Sequence, residues 1–66
     1  MAVLTDEMVT DLALELKALN ITKKTTTVVV HMLHTKQQAQ EMLDYLKKEQ
    51  PTDTQEIFKK MEEILG

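Results

Sequence analysis

The absence of cysteine decides much of what this 66-residue chain can be. A domain of such length buries only about 60% of the surface its unfolded chain exposes, so a single core leaves its stability marginal. Small domains commonly offset that deficit with disulfides or thiolate-bound zinc, and both require cysteine. Two supports remain: closely packed helices and association with another chain. The length allows one domain, 1–66. Its apolar fraction, 42%, is that of a folded polypeptide rather than a disordered one.

Three segments carry clear helix signals. Thr5 reads as an N-cap, with Asp6 and Glu7 in the first turn where carboxylates favour the positive end of the helix dipole. Leu4 and Val9 stand at hydrophobic-staple spacing. Met8, Val9, Leu12, Ala13, Leu16 and Leu19 then form an i, i+3, i+4 stripe. Asn20, tolerant of left-handed backbone, suits the position after the last turn. Together these predict a helix over about 5–19. Thr35 with Gln38 makes a capping box ahead of the stripe Ala39, Met42, Leu43 and Leu46, and Lys47 and Lys48 suit the negative end of the dipole. That predicts 36–49, with Pro51 preventing much continuation. Thr52 with Gln55, or Asp53 with Glu56, opens a last helix over about 53–65, whose face is Ile57, Phe58, Met61, Ile64 and Leu65.

Residues 22–34 contain a conflict. Thr25 through Val30 are six β-branched residues in succession, the composition of a strand. No other segment reads as a strand, however, and a lone strand leaves its backbone groups unpaired. Three consecutive valines also break period-2 alternation, whereas Val29, Met32 and Leu33 with Val28 or Ile21 make a helical face. The expectation is a helix over about 22–34 capped by Thr22. An extended segment survives only if a second copy of the chain supplies its partner. The fold class expected is therefore all-α, a compact bundle of four short amphipathic helices. Its core would comprise Val9, Leu12, Leu16, Leu19, Ile21, Val29, Leu33, Ala39, Met42, Leu43, Leu46, Ile57, Phe58, Met61 and Leu65. Met8, Met32, Met42 and Met61 fall on or beside these stripes, where methionine serves as adaptable core filler.

The net charge of −3 conceals an uneven distribution. Residues 1–20 hold four acids against one lysine, and residues 41–66 hold seven acids against four. Residues 21–40 hold Lys23, Lys24 and Lys36 with no acid, together with both histidines, His31 and His34. Such an island generates a local positive field even on an acidic molecule. The first residues lack a basic region and turn acidic at once, unlike a signal peptide. The longest apolar run, Val28–Val30, falls far short of the roughly 20 residues of a membrane span. A cytoplasmic location and no membrane partner are the corresponding expectations.

Catalytic chemistry finds few materials here. There is neither cysteine nor serine, so a nucleophile would have to be threonine, and no glycine-flanked turn exists to present one. Phosphate-cradling loops need several glycines, and this chain has one, Gly66. His31 and His34 stand at i, i+3, but two imidazoles leave a zinc shell incomplete. No catalytic residue, cofactor, metal or small-molecule substrate is expected. Apolar residues left over from the core, notably Val28, Val30, Met32 and Ile64, offer a surface for a second copy or another protein. A non-catalytic, self-associating interaction module, regulatory in character, is the leading expectation.

A second expectation comes from residues 16–30. Leu19, Asn20, Ile21 and Thr22 follow in the order apolar, turn, apolar, cap, with Thr25 one turn later and Val30 at a later apolar position. This stretch resembles the helix-turn-helix of bacterial DNA-binding domains. The resemblance implies that Lys23, Lys24, Thr25 and Thr27 face the major groove or the phosphates, within the basic segment 21–36. It implies a DNA-binding protein or transcriptional regulator. Were Thr25–Val30 extended, the order strand, helix, helix would instead resemble ribbon-helix-helix dimers.

Overall fold

A computed structural model describes residues 4–66; residues 1–3 of the expected domain lie outside the described residues. The chain forms four helices: α1 (Asp6–Ala18), α2 (Lys23–Met32), α3 (Lys36–Glu49) and α4 (Thr54–Leu65). No strand occurs among the described residues. The β-branched run Thr25–Val30 is helical throughout, so tertiary context overrides propensity there.

Each helix begins where a side chain can satisfy the free N–H groups of the first turn. Thr5, Thr22 and Thr35 accept from the backbone N–H groups of Met8, Thr25 and Gln38. Gln38 completes the capping box: its Oε1 accepts from the N–H of Thr35 at 3.2 Å and from that of His34 at 2.8 Å. This second bond helps explain why α2 stops at Met32 rather than running to 34. The start of α3 claims His34, and Leu33 turns extended (φ −82°, ψ 127°). At α4 the competing caps resolve in favour of Asp53, whose Oδ1 accepts from the N–H of Gln55 at 2.9 Å. Thr52 is exposed and does not cap, because the helix starts one residue later than expected.

The turn between α1 and α2 sets the angle at which the second helix leaves the first. Asn20 has φ 64°. Its N–H donates to the carbonyl of Lys17, and that of Ile21 to the carbonyl of Leu16, both at 3.0 Å. These are the two bonds of a Schellman motif, and the accompanying apolar contact falls to Ile21 and Leu16, both buried. Gln50 after α3 is also left-handed (φ 47°), and buried Pro51 follows it.

Helix α1 packs against α2 and α3, and α4 packs against the same two. The order around the bundle is therefore α1, α3, α4, α2, with the diagonal pairs apart. Leu12, Leu16, Ile21, Val29, Leu33, Ala39, Met42, Leu43, Leu46, Ile57 and Met61 fill the centre. Val9, Leu19, Phe58 and Leu65, expected in the core, are half-buried at its margin. No polar side chain is buried among the described residues. The Cα radius of gyration, 10.5 Å, compares with about 10.8 Å for an ordinary domain of this length.

Candidate functional site

Helix α2 carries most of the residues singled out from the sequence, and the fold distributes them over three flanks. On one side it adjoins α1. Lys23, Thr26 and Val30 face that way, lining a groove with Val9, Ala13 and Ile21. Successive residues are displaced by about 100° around a helix. Val28 and Met32, one turn apart, therefore lie on the opposite flank, beside α4. Both are exposed, at 38% and 37%. By the same rotation, half-buried Phe58 and Leu65 occupy the flank of α4 that turns away from α3 and toward α2.

The outward face of α2 holds Lys24, with Thr27 and His31 at the edge it shares with the α1 groove, all three exposed. Of the four residues implied in DNA contact, Lys23 lies toward α1, Thr27 stands at the edge of the same groove, Lys24 points outward, and Thr25 is half-buried on the opposite flank. The threonine hydroxyls have local partners. Thr26 and Thr27 donate to the carbonyls of Thr22 and Lys23 at 3.0 Å. Thr25 Oγ1 accepts from the Thr22 hydroxyl at 3.1 Å.

Among the four expected interface residues, Val28 and Met32 come together. Val30 belongs to the α1–α2 groove. Ile64 lines a separate surface between α3 and α4, with Tyr45 and Lys60. That hollow, about 680 Å³, is rimmed by exposed charges including Glu41, Asp44 and Glu63. The ammonium of Lys60 lies 5.6 Å from the Tyr45 ring centroid, within reach of a cation–π attraction. The Tyr45 hydroxyl donates a long hydrogen bond, 3.5 Å, to the carbonyl of Glu56. Partial burial pushes its phenol above the ordinary value of 10.0, and the negative charges of Glu56, Glu49 and Glu63 push it further.

Leu14, which belongs to no apolar stripe of the sequence, is at 60% the most exposed large apolar side chain described. Its position outside the stripe Met8, Val9, Leu12, Ala13, Leu16 is the signal that separates it from the core. The α1–α2 groove carries no such signal. It exists because Ala13 is small, and a stripe of apolar letters does not reveal depth. His31 and His34 are both exposed, and no group of three or more His, Asp or Glu among the described residues is placed to hold a metal ion. No described helix is long and apolar enough to cross a membrane. Comparison with known proteins finds no matching family model, no similar curated protein and no similar solved structure.

Proposed function

We propose that this chain is a non-catalytic helical interaction module that self-associates along the seam between α2 and α4. The observation that carries the reading is the paired exposure of Val28 and Met32 on adjacent turns of α2. A chain this small gains by covering such side chains, and burying the third or so of each that is still exposed is worth about 0.5–1 kcal/mol apiece. Helix α2 has two lysines and no acid, whereas α4 has three glutamates against two lysines. Lys23, however, stands on the α1 flank and Glu56 and Glu63 on the α3 flank, away from the seam, so a two-fold axis there mates Val28 and Met32 with their own counterparts, as an isologous interface allows.

Sedimentation equilibrium tests this directly. The wild type is expected to form a dimer in the micromolar range, and Val28→Glu to raise the dissociation constant about tenfold or more. A wild type that stays monomeric throughout a wide concentration series removes the proposal.

A second reading has its own support. Lys24, Thr27 and His31 are all exposed on the helix that follows the Asn20 turn, which matches the helix-turn-helix arrangement the sequence resembles. On this reading the double change Lys23→Ala, Lys24→Ala weakens binding to duplex DNA and lowers the salt slope by up to about two units. Fluorescence anisotropy at low salt provides the check, and absence of any binding by the wild type ends the reading.

A further inference from the structure

We infer that the groove between α1 and α2 is a docking site for an acidic amphipathic helix of another protein. This face is separate from the seam between α2 and α4, and the inference goes beyond self-association.

The groove has two adjoining lobes, of about 380 and 280 Å³. Ala13, Lys23 and Thr26 belong to both, so the lobes are consecutive parts of one channel. Ile21 is buried at the first lobe, and half-buried Val9 and Val30 line the second. The floor is apolar where a small residue, Ala13, interrupts the larger side chains of α1. Two apolar lobes in line are what a helical ligand fills with side chains at i and i+3 or i+4.

The rim specifies the charge of that ligand. Lys17 from α1 and Lys23 from α2 stand together at the first lobe. Helical rotation places Asp11 and Glu15 on the far side of α1 from Ala13. Asp6 shares the Ala13 flank but stands toward the end of the groove where His31 lies. The lysine end is therefore cationic without a local acid on α1 or α2 to offset it, and an occupant is expected to place its carboxylates there. Nucleic acid fits this channel less well than a peptide. Its phosphates would meet an apolar floor, and the hydroxyl protons of Thr26 and Thr27 are already donated to backbone carbonyls.

The test is selection from a randomised library of helical peptides on the immobilised full-length chain, followed by affinity measurement of the enriched sequences. Peptides with two apolar residues three or four apart, and Asp or Glu near the end that meets Lys17 and Lys23, are expected. Ala13→Leu, which fills the channel with a good helix former, is expected to weaken their binding about tenfold or more. The double change Lys17→Glu, Lys23→Glu is expected to do the same while favouring charge-reversed peptides. Circular dichroism confirms that the variants keep their helices, and Val28→Glu is expected to bind these peptides as the wild type does. Failure to enrich any peptide, enrichment without acidic residues, unchanged binding by Ala13→Leu, or displacement of the peptide by duplex DNA at equal concentration overturns the inference.

Discussion

At the scale of single residues, two left-handed positions differ in how far their side chains suit them. Asn20 and Gln50 both have positive φ, and both close a helix. Asparagine tolerates that conformation through its short polar side chain; glutamine has no such compensation. Replacing Gln50 by Gly is expected to stabilise the fold by about 0.5–1 kcal/mol, measured as a higher urea midpoint with unchanged slope. The contrast also explains what could be read in advance. Asn20 announces a turn by its chemistry, and the sequence alone reveals it. Gln50 announces nothing: Pro51 signals that the helix must end, but not that the chain leaves it through the left-handed region. The same limit applies at Thr52 and Asp53. Either residue can cap, and the register of α4 selects Asp53.

At the scale of elements, α2 stands apart. Its six β-branched residues weaken the helix by about 3 kcal/mol in all relative to alanine. Lys23 and Lys24 also occupy its first turn, where cations oppose the dipole, with no acid beside them. What holds it helical is tertiary: buried Val29, and buried Ile21 and Leu33 just beyond its two ends. A strand-like composition could be overruled from sequence because an unpartnered strand has nowhere to send its hydrogen bonds. Thr27 gives a measurement of the remaining conflict. Its hydroxyl donates to the carbonyl one turn back, which does little to offset its poor propensity. Thr27→Ala is expected to raise stability by about 0.5 kcal/mol and the thermal midpoint by about 2–4 °C. A lower midpoint would show that the hydroxyl bond holds α2 together. The flanks of α2 were only half legible. Helical spacing pairs Val28 with Met32 on any such helix, but separating Val30 and Ile64 from them required knowing which neighbours stand on each side.

At the scale of the whole molecule, the core is apolar throughout, with no buried polar side chain among the described residues. Most of its members were identifiable from periodicity, since four stripes must meet somewhere in a chain of this size. The order of helices around the bundle was not, because short connections permit more than one arrangement. The proposed self-association at the seam carries a prediction at this scale as well: the thermal midpoint is expected to rise with protein concentration in the wild type and to become independent of it in Val28→Glu. Helix α2 is at once the least cohesive of the four and the common wall of the groove toward α1 and the seam toward α4. A second copy settling on the seam side leaves the opposite flank untouched. A pair joined there would hold out two open channels at once, and a divalent partner could grip both more tenaciously than either alone.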